Sequence, residues 1–269
     1  MNTSIRHILS LSGGKDSAAL AVYMRDRVTE MEYIFHDTGK ELPETYEYLS
    51  RLEAILGKKI VKTTANQSFD TWLAVYGGMI PSNHRRWCTR MLKLRPFEEY
   101  VGSDPVINYV GLRADEDREG YISRKPNITA VYPFREDGIE RADVIRILEE
   151  SGLGLPNYTS WGRTRSGCYF CFYQQKIEWV RLKQTHPELF ERAKQYEYAN
   201  MVTGEAFYWN GRESLAEIER PERMQQIIEN WERSRERTRS RGKNRSLVQI
   251  FGAIDGEEEE RAGCLICSI

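Results

Sequence analysis

Apolar positions along the chain come in short runs, and longer stretches with helical spacing lie between them. Residues 5–11 (Ile-Arg-His-Ile-Leu-Ser-Leu) predict a short buried strand. A Gly-Gly turn follows, and Ser17 to Arg27 predicts a helix. Met31 to Phe35 is a second apolar run. Pro43 then opens a helix, at a position where its missing N–H costs nothing. Tyr46, Leu49, Leu52, Ile55 and Leu56 recur along that helix at helical spacing, and Gly57 closes it. Lys59 to Thr63 and Val106 to Leu112 predict a third and a fourth strand.

Strands alternating with helices imply βαβ units and a parallel α/β sheet flanked by helices. From about residue 140 the pattern becomes helical. Arg141 to Glu150 predicts one helix. Lys176 to Tyr198 predicts one or two, broken near Pro187, and Pro221 to Arg235 predicts another. The expected division is an α/β domain over 1–140, a helical part over 141–232, and a basic stretch with a cysteine-containing tail over 233–269.

Hydrophobic residues make up 40% and charged residues 29% of the 269, the balance of a globular protein. No stretch approaches the roughly 20 apolar residues that span a bilayer. The first residues lack a signal-peptide core, so a cytoplasmic location and no membrane partner are expected. The net charge of −1 decides nothing about nucleic acid; the charge distribution is more informative. Arg233, Arg235, Arg237, Arg239, Arg241, Lys243 and Arg245 alternate, with Glu236 the only opposing charge among them. In an extended chain they would share one face and suit a phosphate backbone; in a helix they would spread around the axis. The bland alternative is a solvated linker. Tyr208, Trp209 and Trp231 could stack bases but suit a helical core better.

Chemistry concentrates where the predicted strands end. The first loop reads Ser12-Gly13-Gly14-Lys15-Asp16-Ser17. Its glycines let main-chain N–H groups approach an anion, and the following helix points its positive end at the same place. Lys15 adds a cation, Ser12 and Ser17 add hydroxyls, and Asp16 could hold Mg²⁺ or order the loop. After the second strand comes His36-Asp37-Thr38-Gly39 with Glu41, and after the fourth comes Gly111-Leu112-Arg113-Ala114-Asp115-Glu116-Asp117-Arg118. Planar guanidinium groups there would grip phosphate or sulfate with two bonds.

These three segments resemble the SGGxDS, DTG and arginine segments of the PP-loop ATP pyrophosphatases, in the branch that includes phosphoadenosine phosphosulfate (PAPS) reductases. The resemblance runs from residue 5 to about 185. It implies ATP bound by Ser10, Ser12, Gly13, Gly14, Lys15, Asp16, Ser17, Asp37, Thr38 and Gly111, with Lys15, Asp16, Arg113 and Arg118 catalytic and Mg²⁺ as helper. Sulfonucleotide reductases usually have a degraded loop, and the intact loop here is closer to the DndC- and SspD-type proteins associated with sulfur insertion into the DNA backbone. The implied activity is an adenylating, pyrophosphate-releasing sulfurtransferase for DNA phosphorothioate modification. A cysteine desulfurase and other modification-system subunits are the implied partners. The alternatives are a sulfonucleotide reductase, a tRNA-thiolating enzyme and a zinc-stabilised nucleotide-binding subunit.

The five cysteines fit metal or redox chemistry better than a disulfide framework. Cys88 lies in Arg-Arg-Trp-Cys-Thr-Arg, and Cys168 and Cys171 form a C-x-x-C pair. In cluster-bearing relatives a Cys-Cys pair occupies the first place, and here Trp87 replaces its first member. The resemblance therefore implies three thiolate ligands to a [4Fe–4S] cluster, with Cys264 or Cys267 as fourth ligand or sulfur relay. Zinc, with His84 or a tail cysteine as fourth ligand, is the alternative, and three unligated thiols are the plain one. The Glu-Cys-Gly-x-His tail of PAPS reductases is absent.

Overall fold

The structure, a computed structural model, describes residues 5–117, 119–120, 123–199, 206–211 and 213–242. The chain divides into two compact units. The first takes in residues 5–77 and 84–168, and the second residues 78–83 and 169–242 of those described.

The first unit is built on five parallel strands: β1 (Arg6–Leu11), β2 (Glu32–Asp37), β3 (Ile60–Thr64), β4 (Val106–Tyr109) and β5 (Ile128–Val131), in the order β3-β2-β1-β4-β5. The chain moves outward from β1 through β2 to β3 and then crosses to β4 on the other side of β1. The carboxyl ends of β1 and β4 therefore flank the point where the strand order reverses, which is where open α/β sheets bind ligands. The central strands are covered on both faces, and Ile8–Leu11 and Tyr33–His36 are buried without a break, whereas the edge strand β3 buries only Ile60. The side chains still sort by alternation. Leu9, Tyr33 and Phe35 join one core, while Ile8 and Ile34 join the other with Phe97, Val101 and Val106.

Helix α1 (Lys15–Met24) begins two residues earlier than its apolar pattern suggests, because Gly14 takes the N-cap. Its Ala18-Ala19-Leu20-Ala21 face is wholly buried and packs with α2 (Pro43–Leu56), which contributes Tyr48, Leu49, Leu52 and Leu56 to the same core. The helix α3 (Phe69–Val75) follows β3. Then α4 (Trp87–Thr89), a π-helical turn (Arg90–Leu94) and α5 (Arg95–Val101) run on continuously. Pro96 has no N–H to give the carbonyl four residues back, and a wide turn is one way a helix accommodates that. Beyond β5 come α6 (Pro133–Glu136), α7 (Arg141–Glu150), which packs on α1, and a 3-10 turn (Asn157–Trp161).

The second unit contains α8 (Lys176–Thr185), α9 (Pro187–Gln195), a two-stranded ribbon of β6 (Tyr198–Ala199) and β7 (Ala206–Phe207), α10 (Leu215–Ile218) and α11 (Pro221–Gly242). Its core is aromatic: Phe170 stacks on Trp209 with ring centroids 4.9 Å apart, and Trp179 is fully buried. The helix α11 runs past the expected end at Arg235, since Glu, Gln and Arg favour helix and no Pro or Gly precedes Gly242. This corrects the extended alternative for the basic stretch. Arg233, Arg235, Arg237, Arg239 and Arg241 lie on a helix, and of these Arg233, Arg235 and Arg237, two positions apart, do not share a face. Trp231 sits between two guanidinium groups, Arg181 at 4.3 Å and Arg235 at 4.8 Å from its ring centroid. Lys243 and Arg245 lie outside the described residues. Among the described residues no helix is long and apolar enough to cross a membrane.

Glu197 gives the second unit a pH signature. Its two oxygens accept the N–H groups of Trp209 (3.1 Å) and Leu215 (2.7 Å), yet burial outweighs these bonds and pushes its carboxyl up to about 7. The folded chain thus holds a proton there that the unfolded chain releases near pH 4.5. The stability this contributes is complete below pH 4.5 and is lost as pH rises to about 7. Thermal unfolding of wild type should show that decline over this window, and Glu197→Gln should flatten it.

Candidate functional site

The loop 12–14 leaves β1 and enters α1 through Gly13 in the left-handed region, at φ +73°. A Cβ at that position would lie 2.4 Å from Thr45 Cγ2, so glycine is needed for space as well as for φ. The loop is tied to itself and to the rest of the unit. Ser12 N–H donates to Ser17 Oγ (3.2 Å), Gly14 N–H donates to Ser12 Oγ (3.3 Å), and Ser17 Oγ–H donates to the Gly14 carbonyl (3.3 Å). Two distant residues join in. The hydroxyl of fully buried Tyr158 donates to the Gly13 carbonyl (3.3 Å), and Ser166 Oγ–H donates to Ser12 Oγ (3.3 Å). Their local sequence gives no sign of this role.

The exit of β4 closes on the same spot. A Cβ on Gly111 would sit 3.1 Å from the carbonyl oxygen of Asp16, so a larger residue there would press on the start of α1. Two residues on, the side chain of Arg113 is only 6% exposed. Its Nη1 donates to Asp16 Oδ1 (2.8 Å) and its Nε to Asp115 Oδ1 (2.9 Å), with Glu116 Oε1 3.4 Å from Nη1. Burial opposes the charge on Arg113, but these carboxylates outweigh it and raise its pKa further. Of the two roles open to Asp16, the structure displays ordering of the loop. Lys15 Nζ lies 4.0 Å from the other Asp16 oxygen. The donor set fits a polyphosphate: main-chain N–H groups at a helix start, a lysine and two hydroxyls. Asp16 could still contribute to Mg²⁺, which is commonly held by one or two carboxylates together with substrate phosphates. Ser10 on β1 is 1% exposed, and its hydroxyl has no hydrogen-bond partner among the described residues. Arg118 lies outside the described residues.

After β2, Asp37 Oδ1 accepts the Gly39 N–H (2.8 Å) and the Tyr46 hydroxyl (2.7 Å), which closes a tight turn. Thr38 and Glu41 are buried. Thr38 Oγ1–H donates to Glu41 Oε1 (2.9 Å) and lies 3.3 Å from Cys168 Sγ, which is itself 3.9 Å from the same carboxylate oxygen. Burial pushes the Glu41 carboxyl up, against the pull of Lys93 and the Thr38 hydroxyl. Arg163 is 1% exposed. Its Nη2 donates to the carbonyls of Gly167 (3.3 Å) and Cys168 (2.8 Å), and its Nε donates to that of Arg165 (3.0 Å). This buried arginine shapes the turn that presents Cys168.

Cys88, Cys168 and Cys171 are each half-buried, and none is in a disulfide. Among the described residues no three Cys, His, Asp or Glu side chains form a group that could hold a metal ion. Trp87, which replaces the first member of a cysteine pair, is buried in an aromatic stack with Phe69 and Tyr76, both at centroid distances of 5.1 Å. Cys264 and Cys267 lie outside the described residues.

Sheet end, loop and buried arginine thus converge on one spot at the carboxyl edge of the sheet. Residues 6–131, just under half of the chain, match the family model of the phosphoadenosine phosphosulfate reductase domain. The match takes in all five strands and all three motif loops, so this stretch of the chain is similar to that domain. The chain is similar to two uncharacterized proteins of Methanocaldococcus jannaschii. One is 27% identical over 194 residues, covering 68% of this chain and 45% of that protein. The other is 27% identical over 199 residues, covering 69% and 40%. The chain thus spans less than half the length of these two archaeal proteins. An uncharacterized 37.8 kDa protein of Escherichia phage 186 is 25% identical over 254 residues, covering 71% of this chain and 74% of that protein. Among solved structures, PAPS reductase from Candida auris in a phosphate complex aligns with a TM-score of 0.48 at 16% identity, over 62% of this chain and 82% of that one.

Replacing Arg113 by Gln leaves Asp16, Asp115 and Glu116 without their shared cation. Chemical denaturation should show a loss of about 3–5 kcal/mol, the cost of breaking a buried pair from one side. Arg113→Lys should not restore it, because one ammonium cannot reproduce the fork. Gly13→Ala should weaken nucleotide binding at least about tenfold in a calorimetric titration, since strain at positive φ adds to the Thr45 clash.

Proposed function

We propose that the chain is a PP-loop-type enzyme that splits ATP between its α- and β-phosphates to activate an acceptor for sulfur transfer, with nucleic acid as acceptor and DNA favoured over tRNA. The observation that carries this reading is the intact loop 12–17, with Asp16 fixed by buried Arg113. A loop that only shelters a sulfonucleotide does not need Lys15 and Asp16 beside the phosphates.

In the proposed reaction an acceptor oxygen attacks the α-phosphorus of ATP. The bond from that phosphorus to the bridging oxygen breaks, and pyrophosphate leaves. Charge builds on the departing oxygens, which the N-terminus of α1, Lys15 and the hydroxyls of Ser12 and Ser17 are proposed to receive. Arg113 acts by holding Asp16 and the loop in register. The outer sulfur of a persulfide on one tail cysteine then attacks the adenylated centre and displaces AMP; the other tail thiol attacks the carrier sulfur, leaving the acceptor with sulfur at the sulfide level and the tail as a disulfide, which an external thiol reduces. A cysteine desulfurase is the proposed source of that sulfur, and other modification-system subunits are proposed to present the acceptor. Cys264 and Cys267 are proposed to relay sulfur. Arg233, Arg235 and Arg237 on α11, with the basic residues beyond them, are proposed to contact the acceptor backbone. The expected [4Fe–4S] cluster enters no step, because the described thiols are not grouped to hold one.

A second reading, sulfonucleotide reduction, is favoured by the family match over residues 6–131. The two readings separate cleanly. Sulfur transfer requires AMP and pyrophosphate from ATP, stimulated by DNA and reduced about 100-fold or more in Lys15→Ala. Reduction requires thiol-dependent sulfite release from a sulfonucleotide without ATP. Sulfite release with no pyrophosphate would overturn the first reading.

A further inference from the structure

A cavity of about 340 Å³ opens beyond the carboxyl end of β3 and is lined by Asn66, Gln67, Trp72, Met91, Arg95 and Pro96, among others. Its volume falls within the roughly 300–1,000 Å³ typical of small-ligand sites. None of the motif loops contributes to it. It lies on the same edge of the sheet as they do, since Asp37 pairs with Thr64 and the cavity begins one residue later, at Ala65. Lys40 Nζ, in the loop after β2, is 2.7 Å from Asp70 Oδ2 on α3, which ties that loop to the helix carrying Trp72.

Three features give the cavity its chemistry. It has flat and apolar walls, the indole of Trp72 and the side chains of Met91 and Pro96, with Tyr76 continuing the aromatic row 6.3 Å from Trp72. It has two carboxamides, Asn66 and Gln67, each able to donate and accept. It also lies on a basic run. Between Asp70 and Glu98 the sequence has no Asp or Glu but has Arg85, Arg86, Arg90, Lys93 and Arg95. The π-helical turn Arg90–Leu94 supplies Met91, and Arg95 and Pro96 follow it directly. Wide turns of this kind occur often at functional sites.

We infer that this cavity takes an unpaired base of a nucleic-acid strand, stacked on Trp72 and read by Asn66 and Gln67, with the strand's phosphates lying along the basic run. The inference rests on the nucleic-acid acceptor of the proposed function and assigns that acceptor's base a place. Glu99 also lines the cavity and is paired with Arg95 (2.9 Å), so the phosphate contacts fall to the other cations of the run. An aromatic platform beside such a run suits a single strand, because stacking tolerates any base while phosphate neutralisation supplies salt-sensitive affinity.

The test is the binding of a short single-stranded DNA carrying 2-aminopurine to the full chain, followed by the probe's fluorescence, with ATP cleavage measured on the same samples. Wild type should bind with quenching of the probe and with affinity that falls as salt rises. Trp72→Ala should weaken binding roughly 5- to 150-fold, the range for loss of one base–aromatic stack, and Trp72→Phe should recover most of it. Gln67→Ala, at an exposed position, should weaken binding several-fold without any question of folding. Duplex DNA should bind less tightly than the single strand. Unchanged affinity and quenching in both Trp72→Ala and Gln67→Ala would overturn the cavity assignment, while ATP cleavage by the same proteins would leave the proposed function standing. Displacement of the bound strand by AMP at equal concentration, lost in Trp72→Ala, would replace the strand by a free nucleotide and overturn the inference. Absence of ATP cleavage in wild type, with strand binding still lost in Trp72→Ala, would overturn the proposed function and leave the cavity in place.

Discussion

The contact on which the rest of the site depends is the ion pair between Arg113 and Asp16. It joins the exit of β4 to the first turn of α1, across the point where the strand order reverses. Without it, the helix start would carry a carboxylate with only Lys15, 4.0 Å away, to answer it. With it, that carboxylate is held in one orientation and Lys15 is left beside it. Gly111 lets the two backbones come close enough for the pair to form. The side chain of Arg113 gives up most of its contact with water, and three carboxylates offset that cost.

Around this pair the loop is supported from three directions. Thr45 on α2 sits where a side chain at position 13 would go. Tyr158 holds the Gly13 carbonyl, and Ser166 holds Ser12. None of these would contact the reacting atoms, yet they determine which way the loop's N–H groups face. Pre-organisation of this kind is what electrostatic catalysis needs, because dipoles fixed in advance do not have to reorganise as charge develops.

The regular part of the fold was legible because it repeats. β1 to β4, α2 and α7 carry unbroken apolar runs or helical spacing, and their observed limits lie within a few residues of the pattern. β5 was missed because Ile128–Val131 is four residues long and hemmed in by Pro126 and Pro133. The helical run from Trp87 to Val101 was missed because arginines, Cys88 and Pro96 interrupt its periodicity, and the wide turn they accompany has no simple period. The site divided in the same way. Glycines, Lys15 and Asp16 announce themselves in a short motif. Tyr158 and Ser166 act across 145 and 154 residues of sequence and carry no local mark. Arg163 was overlooked for a different reason: a buried arginine that serves neighbouring carbonyls looks, in sequence, like any surface cation.

Glu41 and Cys168 form an isolated antiparallel bridge, main chain to main chain, in addition to their side-chain contact through Thr38. The turn after β2 and the turn bearing the thiol are therefore one mechanical part, although 127 residues separate them. A shift of either turn carries the other with it, so the sulfur atom keeps its bearing relative to the sheet edge rather than to its own stretch of chain.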